Sequence, residues 1–301
     1  MSGVVVALGT FDGVHLGHQA VLRRAAEERD RRGGGESKVV AATFDPHPRM
    51  VLNPDSAPGL LTTLDLRREA LLTYGAEEVR TIKFDGSLSR KSAEEFVRDV
   101  LVEDLGAETV VVGENFRFGY RAAGDTQDLG RLMRSHGGSA ICVPIKGENG
   151  GLEVSSTRIR ALLLEGEAGQ AARLLGRPYL VRGEVMVGDK RGRTIGFPTA
   201  NLMPAPSLIV PDRGVYAGIA YVGDSEYVAC INIGVAPTFG RDVSKVEAYL
   251  LGFDEDLYGK TIDVGFVGRI RSEKRFSGVD ELKAQISRDA EEARRIVDDI
   301  V

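Results

Sequence analysis

Short apolar runs alternate with longer amphipathic segments through the first half of the chain. The first run, Val4–Leu8, is followed by a glycine-rich turn and an amphipathic segment at 19–29, which predict a strand, a turn and a helix. Further strands are predicted at 39–44, 79–84, 109–112 and 140–145, and further helices at 64–74, 93–105 and 127–135. Strands that alternate with helices are typical of an α/β domain with a parallel sheet and right-handed crossovers.

The pattern changes after residue 176, where helical spacing gives way to short runs of alternating apolar and polar residues. Strands are predicted at 181–187, 215–222, 227–233, 246–251 and 261–271. Turn residues separate these runs, which predicts a small closed or nearly closed antiparallel β-barrel. The last segment, 279–300, has one apolar helical face and is predicted to pack against the barrel. We therefore predict an α/β domain at 1–176 and a β-barrel domain with a C-terminal helix at 177–301.

Composition narrows the classes of function. A length of 301 residues favours two domains over one core. A net charge of -5 without a long basic block argues against nucleic-acid binding as a main activity. Because the sequence has no signal peptide and no run of about 18 apolar residues, we expect it to be neither secreted nor membrane-spanning. Cys142 and Cys230 lie in apolar runs, which predicts buried, reduced thiols and a cytoplasmic location.

The turn after the first strand, residues 9–18, carries the first candidate chemistry. A strand that ends in a glycine turn and feeds a helix directs backbone N–H groups and the positive end of the helix dipole at one point, where a phosphate binds well. His15 and His18 are three residues apart on the first helical turn and should face that same point. A capping role for one histidine and a metal ion shared by both are the alternatives, and no third ligand supports the metal.

Polar sequences follow the other predicted strands of the first half. Asp45 follows the second strand, and the segment 113–119 follows the fourth. Because ligands in open α/β sheets bind at the carboxyl ends of the strands, these loops are expected to meet at one cleft, although each alone is an ordinary turn. Phe116 and Phe118 alternate along their loop, so a role in the core is an alternative for them. The hydroxyls at 155–157 suit a helix N-cap and, together with Arg158, a second anion site.

The densest signal of the second half is the glycine-rich, charged segment 188–201. Such a segment is often only a solvated hairpin. Beyond Pro198, however, the two-residue period of an extended strand directs Thr199 and Asn201 to the same side. Their hydroxyl and amide oxygens are hard ligands suited to Mg²⁺, and the glycines permit a phosphate to approach closely. Glu247 interrupts an apolar run and alternates with Val246 and Ala248, so it is a candidate general base, with a merely solvent-facing carboxylate as the alternative.

These motifs resemble those of two enzyme families, one in the first half of the chain and the other in the second half. The segment 9–18 resembles the H-x-G-H signature of nucleotidyltransferases and, more narrowly, that of the bacterial FAD synthetases, and 188–201 closely resembles the riboflavin kinase motif. The resemblance covers nearly the whole chain. It implies a Rossmann-like nucleotidyltransferase domain that adenylylates FMN to FAD, and a barrel that phosphorylates riboflavin to FMN. The implied substrates and products are riboflavin, FMN, FAD and ATP, with Mg²⁺ as cofactor and neither nucleic acid nor membrane as partner.

The resemblance also implies roles for individual residues. The implied catalytic residues are Glu247, His15 and His18. The residues implied to contact ATP or its phosphates are Gly9, Phe11, Asn115, Ser156, Thr157, Arg158, Gly188, Lys190, Gly192, Gly196, Thr199 and Asn201. Thr199 and Asn201 would also hold the metal, and the implied flavin contacts are Asp45, Phe116, Phe118 and Arg275. Tyr249 and Gly252 depart from the family pattern, where many relatives have His and Asp, and this puts nearby flavin contacts in doubt.

Two alternative functions stay open at the level of sequence. The first is an adenylyltransferase for another phosphate acceptor, with the barrel as a specificity domain. The second is a non-catalytic flavin carrier or regulator that has kept the fold. The intact set of Thr199, Asn201 and Glu247 argues against the first, because binding alone requires no base. Intact His15, His18 and Arg158 argue against the second. An RNA-binding barrel is disfavoured by the acidic balance and the lack of Trp. The oligomeric state is not predicted.

Overall fold

The computed structural model describes residues 3–32, 37–144, 154–188, 192, 195–238 and 241–299, with the backbone alone for 235–238 and 241–244. Two compact units divide the chain. The first comprises Met1–Pro58 and Leu64–Ser156, and the second comprises Gly59–Thr63 and Thr157–Val301. The second unit therefore begins within a helix and includes a short stretch from early in the chain. The predicted domain boundary after residue 176 stays a prediction.

The first unit is built on a five-stranded parallel sheet, as the sequence predicts. The strands are β1 (Val4–Leu8), β2 (Lys38–Asp45), β3 (Glu78–Lys83), β4 (Ala107–Gly113) and β5 (Ser139–Val143), in the order β3-β2-β1-β4-β5. The helices are α1 (Leu16–Arg31), α2 (Pro48–Leu52), α3 (Leu64–Thr73), α4 (Ala93–Glu95, continued by a π-helical stretch Phe96–Asp104) and α5 (Thr126–Ser135). Short 3₁₀ turns occur at Pro54–Ser56, Leu88–Arg90 and Tyr120–Ala122.

The central strand β1 is buried on both faces, which explains its uninterrupted apolar sequence. Val6 and Leu8 join the cluster formed with the π-helical stretch and α5, whereas Val5 and Ala7 join the cluster formed with α1 and α3. The prediction that both thiols are buried is wrong for Cys142, because its side chain is exposed. It lies on β5, which is last in the strand order of the sheet, and strand order cannot be inferred from an apolar run alone.

The second unit is a closed antiparallel barrel, in agreement with the sequence. Its strands are β6 (Tyr179–Met186), β7 (Ala200–Pro204), β8 (Gly214–Val222), β9 (Ser225–Thr238), β10 (Arg241–Leu250) and β11 (Thr261–Arg271), in the order β10-β7-β6-β11-β8-β9. Its helices are α6 (Ser156–Leu164), α7 (Ala168–Leu175) and α8 (Val279–Asp298). Val215, Cys230 and Val267 pack with Ala293 and Val297 of α8, so the predicted docking of this helix on the barrel is confirmed. Burial raises the pKa of the Cys230 thiol to about 12, which keeps it protonated at neutral pH.

A buried ion pair also fixes α8 to the barrel. Asp289 on α8 is only 3% exposed. Arg271, at the end of β11, donates from Nε to both carboxylate oxygens at 3.0 Å and from Nη2 to Oδ2 at 2.7 Å. Gln285 donates to Oδ1 at 2.8 Å. The carboxylate is therefore well satisfied, and the contact anchors the start of the segment 272–276 that leaves the barrel.

Replacing Asp289 by asparagine should loosen α8. The Arg271 guanidinium would lose its charged acceptor while staying partly buried, which should cost about 2 kcal/mol of local stability. We expect the backbone amides of α8 to exchange hydrogen about 30-fold faster in the variant than in the wild type. Hydrogen-exchange mass spectrometry is the measurement. Glu291→Gln, an exposed change on the same helix, is the control and should leave exchange unaltered. Equal exchange rates in Asp289→Asn and the wild type would contradict a role for this pair in holding α8.

Candidate active sites

The loop between β1 and α1 adopts a strained backbone. Phe11 and Val14 have φ values of 51° and 41°, and Gly13 between them has a φ of 88°. A positive φ is rare for a bulky residue and is a genuine outlier for a β-branched one such as valine. Both side chains lie in the core beside α1, with exposures of 1% and 0%, and the N–H of Val14 donates to the Phe11 carbonyl at 3.0 Å. Core packing therefore holds this loop in a conformation that its sequence would not adopt alone.

The loop delivers the two histidines to one place, as the sequence predicts. Their rings stack with centroids 3.6 Å apart and planes at 15°. His15 is the N-cap of α1, and its Nδ1 accepts a hydrogen bond from the backbone N–H of His18 at 3.3 Å. Phe11 contacts the His18 ring edge-on at 5.2 Å. The capping interpretation thus applies to His15, and it is also the interaction that brings His15 beside His18 at the helix N-terminus.

The sheet brings the other predicted nucleotide-site segments to the same edge. Gly9, Asp45 and Gly113 lie at the carboxyl ends of the three adjacent strands β1, β2 and β4. Ser156 is tied to the loop directly, because its hydroxyl donates to the carbonyl of Asp12 at 2.8 Å. Thr157 and Arg158 are exposed on the first turn of α6 and belong to the second unit. Their contacts with ATP stay predictions.

The loop after β4 has both buried and exposed side chains. Asn115 is exposed, Phe116 is half-buried, and Phe118 is 6% exposed within the core cluster of β4 and α5. The two rings stack with centroids 5.7 Å apart, and Phe118 also packs on Phe96. The core alternative therefore describes Phe118. Its predicted contact with flavin, and those of Phe116 and Asp45, stay predictions.

The barrel contains the second candidate site. Thr199 and Asn201 both line a cavity of about 240 Å³, bounded on another side by the segment 254–258. The Asn201 Nδ2 donates to the Thr199 carbonyl at 3.4 Å, which orients the amide. Its Oδ1 is buried and has no hydrogen-bond partner among the described residues. A buried amide oxygen beside a hydroxyl in one cavity is a suitable pair of ligands for a hard cation.

Glycines of the segment 188–201 permit close packing around this pair. A Cβ placed on Gly188 would lie 2.4–2.7 Å from the amide atoms of Asn201. A Cβ on Gly192 would lie 2.3 Å from the Phe197 carbonyl oxygen. Gly196 has a φ of 91°, which also favours glycine. Lys190 lies outside the described residues, so its predicted phosphate contact stays a prediction.

Glu247 lies on β10, next to the strand that carries Asn201. Its neighbours Val246 and Ala248 are fully buried on the opposite face, so the predicted alternation is confirmed. Glu247 is directly opposite Asn201 on β7 and Asn232 on β9, which places the three side chains on one face of the barrel wall. The carboxylate accepts from Asn232 Nδ2 at 3.3 Å and pairs with Lys245 Nζ at 2.8 Å. Each oxygen therefore has a partner that fixes its direction.

Sequence reasoning did not assign Asn232 and Lys245 to the carboxylate. Lys245 could have been found from its position two residues before Glu247, since side chains two apart on a strand share a face. The contact of Asn232 depends on strand pairing, which the sequence does not display. Tyr249, one of the departures from the family pattern, packs edge-on against Phe197 at 5.4 Å. Arg275 is exposed in the segment after β11, and its predicted flavin contact stays a prediction.

Comparison with known proteins identifies the family. The FAD synthetase family model matches residues 1–158, and the riboflavin kinase family model matches residues 175–297. A protein of Escherichia coli (strain K12), the bifunctional riboflavin kinase/FMN adenylyltransferase, is 38% identical over 97% of this chain and 92% of its own length. The chain belongs to the bifunctional riboflavin kinase/FMN adenylyltransferase family. The corresponding Bacillus subtilis (strain 168) protein is 37% identical over 97% of this chain and 92% of its own.

A solved structure supports the fold of this family member over nearly its full length. The crystal structure of a macrolide-efflux protein from Streptococcus pneumoniae is 33% identical and covers 97% of this chain and 94% of its own, with a TM-score of 0.87. Over the described residues of the present chain, none of the helices combines the length and apolar character needed to cross a membrane.

The two family matches divide the candidate sites between them. The FAD synthetase match contains the strained loop, both histidines and the loop after β4, whereas the riboflavin kinase match contains the barrel cavity, Thr199, Asn201 and Glu247. The candidate adenylyltransferase site thus lies within the FAD synthetase match, and the candidate kinase site lies within the riboflavin kinase match. The roles of the individual residues stay predictions.

Proposed function

We propose that this chain converts riboflavin to FAD in two ATP-dependent steps. The barrel would phosphorylate riboflavin to FMN, and the α/β unit would transfer the adenylyl group of a second ATP to FMN, releasing pyrophosphate. The observation that carries the proposal is that one chain holds two candidate sites with different sets of side chains, and each set suits one of the two reactions. These are an oriented carboxylate beside oxygen ligands in the barrel, and paired imidazoles at a helix N-terminus in the α/β unit.

The kinase step requires a group that takes the proton of the attacking hydroxyl. Glu247 would accept the proton from the terminal ribityl hydroxyl of riboflavin as that oxygen attacks the γ-phosphorus of ATP and ADP leaves. Lys245 and Asn232 hold the two carboxylate oxygens from the same face of the wall. This arrangement keeps the base in one orientation, so little reorganisation is needed when the proton moves.

Thr199 and Asn201 would hold the Mg²⁺ of the kinase site. The fit rests on the buried Asn201 Oδ1 that has no hydrogen-bond partner among the described residues, and on the neighbouring hydroxyl in the same cavity. No cluster of three or more His, Cys, Asp or Glu side chains able to hold a metal occurs within the described ranges. Bound there, Mg²⁺ would neutralise negative charge on the phosphate oxygens of ATP.

The adenylyl-transfer step requires no protein nucleophile. The phosphate of FMN is already an anion, and it would attack the α-phosphorus of ATP while the bond to the leaving pyrophosphate breaks. His15, His18 and the N-terminal N–H groups of α1 would stabilise the negative charge on the phosphorus and the leaving group. The strained loop would supply alignment by holding both rings in place.

We also propose a cytoplasmic location for the enzyme. Cys142 and Cys230 are both free thiols, and Cys142 is exposed. Reduced cysteines are typical of the compartment in which glutathione and thioredoxin keep thiols reduced.

Incubation of the purified protein with riboflavin, ATP and Mg²⁺, followed by chromatography of the flavins, tests the proposed function. We expect FMN to appear first and FAD afterwards. FMN without FAD, even when FMN is added directly, would indicate that the α/β unit uses another acceptor. Tight flavin binding with no turnover of ATP would instead support the carrier interpretation and overturn the proposal.

Gly188→Ala should impair the kinase step alone. The new methyl group would overlap the amide of Asn201, so that side chain must leave its position in the cavity. We expect riboflavin phosphorylation to fall by about 10²-fold, because displacement of a positioning group by roughly 1 Å costs that much. The measurement is the initial rate of FMN formation, with FAD formation from added FMN as the reference activity.

The matched control for Gly188→Ala is Gly278→Ala, where an added Cβ meets no atom within 4 Å. Gly278 lies in the same unit and precedes α8. This control should keep nearly the full rate of riboflavin phosphorylation. A Gly188→Ala enzyme as active as the control would contradict the role given to Asn201.

A further inference from the structure

Arg67 of α3 is a charged residue inside the core of the α/β unit, and none of the sequence motifs includes it. It is 1% exposed and is among the largest fully buried side chains. Its Nη1 donates to the Phe44 carbonyl at 3.1 Å and to the Thr43 hydroxyl at 3.3 Å, and its Nη2 lies 3.9 Å from Oδ1 of Asp12. A guanidinium is costly to bury unless a carboxylate and hydrogen-bond acceptors compensate it, and these contacts provide both.

The partners of Arg67 connect it to the strained loop between β1 and α1. Asp12 belongs to that loop and is itself fully buried. The hydroxyl of Thr43 donates onward to the carbonyl of Thr10 at 2.8 Å, so Arg67 reaches the loop by a second route. The Asp12 carbonyl accepts from Ser156, which fixes the same residue from another side. Asp12 and Thr10 therefore flank Phe11, the first residue with positive φ, and both are linked to Arg67.

The position of this network matches the strain in the loop. A positive φ at Phe11 and Val14 persists only when the surroundings determine the backbone more strongly than local preference does. The Arg67 contacts act immediately beside Phe11, and the N-cap His15 follows directly after Val14. A small relaxation of the loop would therefore change where both imidazoles lie, although Arg67 itself is not one of the groups placed at the phosphates.

We infer that Arg67 is a positioning residue for adenylyl transfer, which holds the strained loop through Asp12 and Thr43 so that His15 and His18 face the α-phosphate. This inference rests on the proposed FMN adenylyltransferase function of the α/β unit. It explains why a helix that otherwise buries leucines carries an arginine on its buried side. The same network would leave the kinase step of the barrel unaffected.

Arg67→Met tests the inference, because methionine retains an apolar stem but removes the guanidinium that donates to Thr43 and lies 3.9 Å from the Asp12 carboxylate. We expect kcat for FAD formation from FMN and ATP to fall by about 10²-fold, with KM values changed by less than about threefold, since alignment acts on the transition state. Arg67→Lys restores the charge and should recover about tenfold of the loss. Riboflavin phosphorylation by the same protein preparation should stay at the wild-type rate.

The matched control is Arg68→Met, which changes the exposed next residue of the same helix and should preserve both activities. Thr43→Val keeps the side-chain volume and removes the hydroxyl between Arg67 and Thr10, so it decides the question if Arg67→Met does not fold. A reduced kcat for FAD formation in Thr43→Val supports the inference, and an unchanged kcat overturns it.

Two further outcomes separate this inference from the proposed function. If the wild-type protein makes no FAD from FMN, the proposed function fails before any variant is measured. If the wild type makes FAD and a folded Arg67→Met enzyme keeps its kcat within about twofold, the positioning role is overturned while the function stands. An equal fall of both activities in folded Arg67→Met would show a general structural role and would also overturn the inference.

Discussion

Glu247→Gln is expected to lower the formation of FMN from riboflavin by about 10³-fold, the scale contributed by a positioned general base. Glutamine has nearly the same shape as glutamate but cannot accept the proton of the attacking hydroxyl. It can still face Asn232 and Lys245 from the same strand position, so the barrel should keep its fold. The measurement is the initial rate of FMN formation at saturating ATP and Mg²⁺.

The second activity of the same chain is the internal control for Glu247→Gln. FAD formation from added FMN should keep the wild-type rate, because Glu247 belongs to the barrel and the histidine pair to the α/β unit. Glu184→Gln, an exposed change on β6, should leave both activities intact. If Glu247→Gln keeps more than about a tenth of the kinase rate, Glu247 is not the base. Loss of both activities in a folded protein would contradict the separation of the two sites.

The local part of the fold and of the sites could be predicted from the sequence. Strand period places Glu247 opposite Val246 and Ala248, and the three-residue spacing at the helix start predicts that His18 lies near His15. Thr199 and Asn201 line one cavity because they are two apart on an extended chain. In each case the relevant neighbours lie within a few residues, so periodicity contains the necessary information.

Features that depend on contacts between distant parts of the chain could not be predicted from the sequence. The exposure of Cys142 follows from the place of β5 in the sheet. Residues 59–63 belong to the second unit, and the Leu60 N–H donates to the Ser207 carbonyl at 2.7 Å. These two residues are nearly 150 positions apart, so no local sequence pattern predicts the contact. Arg67 did leave one signal, since it occupies the buried side of α3 four residues before Leu71. A charge on an apolar helical face indicates a buried partner but does not identify it.

His18→Ala is expected to have the opposite effect from Glu247→Gln. Removal of a donor that faces the developing charge should lower FAD formation from FMN by about 10²–10³-fold. The ring of His15 would also lose the neighbour on which it stacks at 3.6 Å. Because the barrel keeps its own base and oxygen ligands, FMN should form from riboflavin at the wild-type rate and accumulate. The measurement is a time course of both flavins by chromatography.

The control for His18→Ala is His136→Ala, which removes an exposed imidazole at the end of α5 and should leave the time course unchanged. An FAD rate within about threefold of the wild type would exclude His18 from charge stabilisation. A parallel loss of FMN formation would mean that the loop supports both sites, which contradicts two separate modules. If FMN accumulates without FAD, the conversion of FMN to FAD requires the histidine pair, whereas the formation of FMN in the barrel does not. Together with the Glu247 variant, that result would assign each phosphorus-transfer reaction to its own unit.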